Sequence, residues 1–237
     1  MRRRFTSGLA CGLTAVIVGA GPAARPAASA PIPGTPTARS AVPAGAGPYG
    51  LASAAARPPS RAQLTAALLK PSDLPRGFKV VKLDPGSLSG LDEACPALAA
   101  APAGRVSAEA ERLLANPGTT EVVAETLAQT SVKSARETFR QFSLIPRQCP
   151  SFSFQSSLLG IITVTITPLP LRRLGSGTTA MRIKAEGSPG QPVYLNSALV
   201  RYGGTLISLQ NGSDGPVKQS TTQKYVSRAY AKVHARW

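Results

Sequence analysis

Residues 193–210 read VYLNSALVRYGGTLISLQ and carry the strongest structural signal in the chain. Two runs rich in Val, Leu, Ile and Tyr flank a Gly-Gly pair, Gly203 and Gly204. Glycine adopts the positive φ angles that a two-residue hairpin turn requires, and the flanking composition is typical of strands. This stretch therefore predicts two long antiparallel strands joined by a tight turn.

Strand patterns also fill the region before this hairpin. Apolar residues alternate with Thr over residues 162–167 and with charged residues over residues 181–186. The run SFSFQ, residues 151–155, places its two Phe side chains on one face. A period of two is typical of a strand with one buried face, so we expect these runs to extend the sheet.

Three segments have helical periodicity instead. They are residues 61–70, 131–143 and 220–237. Ser60 and Gln63 form a capping box before the first helix, and Pro71 ends it. In the second helix the apolar positions are Val132, Ala135, Phe139 and Phe142. In the third they are Tyr225, Val226, Ala229, Tyr230 and Val233.

Residues 105–129 admit two interpretations. SAEAERLL (107–114) has helical propensity, whereas EVVAETLAQ (121–129) suits a strand and residues 116–118, Asn-Pro-Gly, mark a turn. We favour a hairpin, partly on the family resemblance given below. With the short strand FKVVKL (78–83), the sum is an α+β fold with an antiparallel sheet of about six or seven strands and three helices. We expect a single domain over residues 60–237.

The first 59 residues have the composition of an export signal followed by a linker. Arg2, Arg3 and Arg4 precede an apolar core at residues 9–20, and small residues continue to residue 30. Residues 1–30 are therefore predicted to be a signal peptide, and the Pro-, Ala- and Gly-rich residues 31–59 a disordered linker. Lipid attachment at Cys11 and an organelle transit peptide are the alternatives. Export makes the expected location secreted or extracellular, in association with the cell envelope.

The sequence from residue 60 onwards resembles a known family. LLKPSDLPRGF (68–78) is followed by Cys95-Pro96, a helix ending at Cys149-Pro150, the Val-Arg-x-Gly of residues 200–203 and a Lys- and Tyr-rich terminal helix. This order is similar to that of actinobacterial secreted proteins and lipoproteins with a sensor domain like the extracellular part of the mycobacterial Ser/Thr kinase PknH. The resemblance covers residues 60–235 and implies an α+β domain with a ligand-binding cleft. The chain departs from the kinase in lacking a kinase domain, a membrane span after the signal and a second disulfide.

Cys95 and Cys149 are the two of the three cysteines that remain once the signal peptide is removed. Exported proteins meet an oxidising environment, so we expect these two to form a disulfide. Two buried free thiols are the alternative. A redox role is not expected, because the chain has no C-x-x-C spacing.

The composition excludes several kinds of active site. The single histidine, His234, cannot by itself build a His-pair acid/base site or an HExxH zinc helix. Asp92 and Glu93 are adjacent and would point apart on a regular element, while Glu121 and Glu125 fit a solvated strand edge. No cluster has metal-ligand spacing. We therefore expect no catalytic residue, no metal and no cofactor.

The formal net charge of +16 favours anionic surroundings, although eight of the 27 basic residues precede the first acidic residue, Asp73. The terminal helix carries a basic stripe, since Lys224, Arg228 and Lys232 are spaced by four. Such a stripe suits contact with an anionic surface. A solvated helix face is the alternative.

A second basic set lies in the sheet. Arg182, Lys184 and Arg201 occupy outward positions of two strands that we predict to be neighbours. An antiparallel sheet can leave one face to solvent, so these residues are the candidate ligand-binding wall of a cleft. Ordinary surface charge is again the alternative.

Together these patterns favour a secreted ligand-binding module of the cell envelope, sensor-like and without catalytic activity. The expected ligand is an unidentified small molecule, lipid or anionic envelope polymer, with contact to a membrane surface as a further expectation. The alternative is an envelope-associated structural or interaction protein held by its basic C-terminal helix. Nucleic acid is not an expected partner, because the domain is exported, poor in aromatic residues and without a recognition motif.

Overall fold

A single antiparallel sheet organises the computed structural model of the protein. The structure describes residues 58–82, 94–99, 106–156, 160–187 and 192–237. The predicted signal peptide, and all but the end of the predicted linker, lie outside the described residues.

The sheet has eight strands. They are β1 (Lys79–Val81), β2 (Ala108–Asn116), β3 (Glu121–Gln129), β4 (Ser151–Ser156), β5 (Gly160–Pro168), β6 (Gly177–Gly187), β7 (Val193–Tyr202) and β8 (Thr205–Ser213). Their spatial order is β1-β2-β3-β8-β7-β6-β5-β4, with every neighbouring pair antiparallel. The helices are α1 (Arg61–Ala67), the single turn α2 (Pro96–Ala99), α3 (Val132–Gln148) and α4 (Gln219–His234), with a 3-10 turn at Pro71–Asp73.

Strand alternation divides the sheet into two faces, each with its own core. On the first, which we call the α4 face, α1 and α4 cover β2, β3, β7 and β8. The buried strand residues of this face include Leu114, Val123, Leu127, Ile207 and Leu209. They meet Tyr225, Val226, Ala229 and Val233 of α4. The period of 3.6 in the helix and the period of two in the strands therefore bury their apolar residues against each other, as the sequence predicts.

The opposite face, which we call the α3 face, carries the second core. α3 packs across β5 to β8 and buries Ala135, Phe142 and Ile145. The strand residues beneath it include Ile162, Val164, Ile166, Met181, Ile183 and Leu199. The predicted disulfide is confirmed: Cys95 and Cys149 are bonded, with their Cα atoms 6.0 Å apart, and so join α2 to the end of α3.

A buried polar contact fixes α4 on the sheet. Asn196 of β7 and Asn211 of β8 are opposite each other and fully buried. Thr222 Oγ1 of α4 donates to Asn211 Oδ1 (3.0 Å) and accepts from Asn196 Nδ2 (2.8 Å). Buried amides need such partners, and Thr222 supplies one to each amide, whereas Asn196 Oδ1 and Asn211 Nδ2 have none in the described structure. This contact therefore helps to orient the helix.

The structure confirms the predicted Gly-Gly turn, the hairpin within residues 105–129 and the capping box at Ser60. Gly203, with a φ of 58°, turns β7 into β8, and residues 107–129 form the favoured hairpin of β2 and β3. The capping box is present: Ser60 Oγ accepts from the Gln63 N–H (3.3 Å), and Gln63 Oε1 accepts from the Ser60 N–H (2.8 Å).

The predicted number of elements was too low. The described sheet has eight strands rather than six or seven, and the described chain has four helices rather than three. The additional helix is α2, whose four residues are too few for a periodic pattern. The short strand β1 lies within the predicted strand FKVVKL, so it does not explain the difference in strand number.

α3, the second of the three predicted helices, is longer than the predicted residues 131–143 and contains Pro146. The proline lies in the last turn, where its missing N–H removes one bond and the Cys149 N–H still reaches the Ile145 carbonyl at 2.8 Å. Val132, which we placed on the apolar face, begins the helix and is exposed.

Candidate functional site

The three basic residues predicted to line a cleft do not share one site. Their strands β6 and β7 are neighbours as predicted, but Arg182 lies opposite Asn196 on the α4 face, whereas Arg201 lies opposite Gly177 on the α3 face. Directly opposed residues share a face and side chains alternate along each strand, so in this register the even-numbered residues of β6 and β7 lie on one face and the odd-numbered residues on the other. The structure therefore separates Arg201 from Arg182 and Lys184.

Arg182 and Lys184 lie on a part of the α4 face that neither α1 nor α4 covers. Arg182 is exposed, and Lys184 Nζ is 2.8 Å from a carboxylate oxygen of Glu186. The neighbouring strands β4 and β5 add hydroxyl groups to this surface, among them Ser153 and Thr163, whose oxygens are 2.9 Å apart. This surface is flat, polar and weakly basic.

Arg201 is held at the edge of α3. Its guanidinium carbon lies 6.0 Å from the centre of the Phe139 ring, and one terminal nitrogen donates to the Ser176 carbonyl at 3.2 Å. Its Nε is buried without a hydrogen-bond partner in the described structure. A cation over an aromatic face is stabilised by the ring, so Phe139 and the Ser176 carbonyl hold the guanidinium group of Arg201 in place.

The basic stripe of α4 is largely occupied by contacts within the protein. Lys232 pairs with Asp73, and Arg228 Nε lies 3.6 Å from the same carboxylate. Burial raises the pKa of Asp73, but the hydrogen bonds from Lys232 and the Lys70 N–H outweigh it and hold the pKa below its usual value. Lys224 is exposed. Only part of the predicted stripe therefore faces solvent freely.

Glu125 contradicts the prediction of a solvated strand edge. It is 1% exposed on the α4 face, where one oxygen accepts from the Leu69 N–H at 2.5 Å. Its other oxygen has no hydrogen-bond partner in the described structure. Burial raises the pKa of Glu125 to about 7. β3 lies inside the sheet rather than at its edge, and this position buries the carboxyl group.

Four polar side chains form a buried strip on the α3 face, beside the apolar area under α3. We call Thr126, Ser197, Ser208 and Gln210 the polar strip; all are less than 8% exposed. Ser197 lies opposite Gln210, and Ser208 lies opposite Thr126, so the strip crosses β7, β8 and β3 without interruption. Ser197 Oγ is buried without a hydrogen-bond partner in the described structure.

Such a strip is unusual in the middle of a sheet. Buried hydroxyl and amide groups normally have partners, and each exception calls for an explanation such as a bound ligand or water. The strip supplies uncharged donors and acceptors and no titrating group, so it suits binding rather than acid/base chemistry. Sequence reasoning missed it, although Ser208 and Gln210 alternate with apolar residues in the run LISLQ (206–210) and so place two polar side chains on one face.

A groove of about 500 Å³ lies beside the disulfide on the same side of the molecule. It is lined by Pro96, Ala97, Arg140, Gln141, Leu144, Gln148 and Cys149. Arg140 is engaged with Glu137 in an ion pair of 2.6 Å. The groove is therefore a mixed polar and apolar depression between α2 and α3.

The described residues provide no cluster for metal chemistry, since nowhere among them do three or more His, Cys, Asp or Glu side chains come together to hold an ion. His234 packs against Tyr202 and Tyr230, with ring centres 5.6 and 5.5 Å away. Within the same ranges, no helix combines the length and the apolar character that a membrane crossing needs.

The fold is similar to that of the extracellular domain of PknH from Mycobacterium tuberculosis. The two structures superpose with a TM-score of 0.52 over 76% of this chain and 98% of that one, at 11% sequence identity. The predicted resemblance is thus confirmed at the level of the fold.

A second solved structure, a STAR-related lipid transfer protein from Xanthomonas axonopodis, matches 68% of this chain and 99% of its own length at 9% identity. Its TM-score of 0.27 is too low to indicate a shared fold. No protein-family model and no curated protein matches the sequence.

Proposed function

We propose that this protein is an exported ligand-binding module without catalytic activity, and that it binds an uncharged, hydroxyl- or amide-bearing ligand at the polar strip. The observation that carries the proposal is the hydroxyl of Ser197, which lies within the strip without a hydrogen-bond partner in the described structure. Because Ser197 is fully buried, the ligand reaches it only when the part of the chain that covers the strip moves aside. Leaving such a group unpaired costs about 1–3 kcal/mol, and a ligand that pairs with it recovers this free energy.

The fold and the disulfide support the exported location. A domain similar in fold to an extracellular domain, with one disulfide between α2 and α3, suits an oxidising compartment. Arg201 lies on the same face as the strip, four residues further along β7. It is the predicted ligand-binding cation best placed to extend the site towards a charged group of the ligand.

A direct test is chemical-shift mapping with two probes, a soluble oligomer of N-acetylglucosamine and inositol hexaphosphate. The first is neutral and rich in hydroxyl and amide groups, and the second is highly anionic. We expect the oligosaccharide to perturb β3, β7 and β8 amides, and Ser197→Ala to weaken its binding about tenfold, the effect of one lost hydrogen bond. Thr167→Ala, which removes an exposed hydroxyl of β5, is the matched control and leaves binding unchanged.

The competing result is binding at the flat surface of β4 to β6. Perturbations confined to β6, induced by inositol hexaphosphate and abolished by Arg182→Glu or Lys184→Glu, would contradict the polar strip and assign an anionic ligand to the α4 face. Turnover of either probe would contradict the absence of catalysis.

Export is tested by the intact mass of the protein recovered from culture supernatant and from washed cells, with and without reductant. We expect a soluble species that begins between residues 21 and 31 and gains two hydrogen atoms on reduction. A cell-bound species that begins at Cys11 with added lipid would make the protein a lipoprotein, and an uncleaved chain with free thiols would contradict export.

A further inference from the structure

The two outer strands of the described sheet differ in how they are protected. β1 has three residues, and its first residue, Lys79, and the following Lys82 carry charges that discourage pairing with another strand. β4 has six residues, SFSFQS, without charge, proline or glycine. In the described part of the chain no strand pairs with its outer side. β4 therefore has the features of an edge that accepts a further strand.

The backbone groups that face outward on β4 can be assigned from the ladder. The Ile166 N–H of β5 donates to the Pro150 carbonyl at 2.8 Å, directly before β4 begins. Hydrogen bonds alternate along an antiparallel pair, so even-numbered residues of β4 bond to β5. The N–H and C=O groups of Ser151, Ser153 and Gln155 consequently point away from the sheet.

The side chains of β4 are self-complementary. When two copies of the strand pair antiparallel about Ser153, each Phe152 lies opposite the Phe154 of the other copy. These are the non-hydrogen-bonded positions, where Cα atoms are closest, at about 4.5 Å. Aromatic pairs across strands are stabilising, and Phe152 is only half-buried within one copy. On the other face Ser153 meets Ser153, and Ser151 meets Gln155.

We propose that two copies of this chain associate through β4, so that their sheets join into one continuous antiparallel sheet. The two-fold axis passes between the Ser153 residues, which exchange a pair of backbone hydrogen bonds. Ser151 and Gln155 make the same exchange on either side. This surface is separate from the polar strip, which lies on β3, β7 and β8.

The charge distribution favours this edge for self-association. The chain carries a formal net charge of +16, so most of its surface repels a second copy. β4 carries no charge, and the residues of β5 that pair with it, Gly160 to Thr165, carry none either. Two copies therefore approach through β4 with less electrostatic repulsion than through other edges.

Sedimentation velocity of the purified protein, from about 5 µM to about 500 µM in about 0.3 M salt to screen the net charge, measures the association. We expect a monomer–dimer equilibrium within this range. Hydrogen exchange locates the contact: the amides of Ser151, Ser153 and Gln155 exchange more slowly as the concentration rises.

Two variants test the strand itself. Ser153→Lys places two lysines opposite each other on the axis and weakens dimerisation at least about tenfold. Ser153→Pro removes an outward N–H without removing a bond to β5, and abolishes the dimer. Ala66→Lys, at an exposed position of α1, adds the same charge away from β4 and leaves the dimer intact.

Circular dichroism establishes that each variant is folded, and Ser153→Lys serves as the test should Ser153→Pro misfold. A protein that stays monomeric over the whole concentration range overturns the proposal. So does a dimer that both Ser153 variants leave unchanged, or one in which the three β4 amides gain no protection.

Discussion

The ionisation of Glu125 is coupled to the stability of the fold. Glu125 lies at 1% exposure with one oxygen bonded to the Leu69 N–H, and burial raises its pKa to about 7. Lys232, Arg112 and Asp73 are the charged groups that act on it from the surrounding elements. The folded protein holds the proton of Glu125 at pH values where the unfolded chain, with a pKa near 4.5, releases it.

The sign of the resulting pH dependence follows from proton binding. Between about pH 4.5 and 7 the folded state binds more protons at Glu125 than the unfolded state, so its contribution to stability decreases as the pH rises and levels off above 7. The decrease is about 3 kcal/mol. Glu125→Gln keeps an acceptor for the Leu69 N–H, and we expect the variant to lack this slope in urea unfolding followed by Trp237 fluorescence. Glu111→Gln on the neighbouring strand is the control and keeps the slope; a wild-type profile parallel to that of Glu125→Gln would contradict the assignment.

Asp73 acts in the opposite direction. Its carboxylate accepts from the Lys70 N–H at 2.8 Å and pairs with Lys232, whose side chain is 18% exposed. Asp73→Asn leaves Lys232 without its counter-charge, and we expect a loss of about 1–2 kcal/mol in the free energy of unfolding at pH 7. Because the pKa of Asp73 is lowered, the difference between wild type and variant is present above its ordinary value of 3.8 and disappears as the pH falls below it. A double-mutant cycle with Lys232→Met measures the pair, and a coupling free energy of zero would show that the two residues act independently.

At the scale of single residues, the sequence predicts the apolar face and the cap of a helix better than it predicts the surroundings of a strand residue. The apolar positions of α4 followed from spacing alone, as did the capping box at Ser60. Glu125 and Arg201 did not, because burial of a strand residue depends on which strands lie on either side of it. That information is non-local and is absent from any short window of sequence.

Among the elements, α4 is oriented by a buried polar contact. Thr222 bridges Asn196 and Asn211, and the Tyr225 hydroxyl adds a second polar contact by donating to Glu121 of β3 at 3.1 Å. Thr222→Val keeps the shape and leaves both amides without this partner, so we expect a loss of about 2–3 kcal/mol in the free energy of unfolding. Thr221→Val, on the neighbouring and less buried position, is the matched control. Equal effects of the two variants in urea unfolding would contradict a specific role of Thr222.

Sequence patterns predict some of the elements and fail for others. The β7–β8 hairpin followed from its two glycines and its composition. The β2–β3 hairpin followed from an Asn-Pro-Gly turn only together with the family resemblance, because the first of its two strands also has helical propensity. The end of α3 was not predicted from the sequence, because Pro146 is a helix breaker in sequence patterns but in the structure lies in the last turn and removes only one backbone hydrogen bond. α2 has only one turn, which is too short for a periodic pattern, and the disulfide at Cys95 joins it to the end of α3.

At the scale of the whole molecule, the disulfide connects the two ends of the segment that crosses from the middle of the sheet to its edge. β3 and β8 lie side by side at the centre of the sheet, while α3 carries the chain from β3 to β4 at the far edge. Cys95 and Cys149 lie at the two ends of the 54-residue segment that contains this crossing. The bond therefore limits how far the unfolded chain can separate these parts.

Removing the disulfide tests that role. We expect Cys95→Ala combined with Cys149→Ala to lower the free energy of unfolding by about 4 kcal/mol, the chain-entropy value for a loop of 54 residues. Urea unfolding of the variant is compared with that of the wild type in oxidised and reduced form. An unchanged free energy of unfolding would contradict this role, because it would mean that the bond does not restrict the denatured ensemble.

The disulfide has a second consequence, for proteolysis. A single cut at any peptide bond between Cys95 and Cys149 leaves the two fragments joined through sulfur. β2 and β3, which lie within this segment, also remain hydrogen-bonded to β1 and β8. A protease acting there would produce a nicked molecule that migrates as one species until a reductant separates its halves.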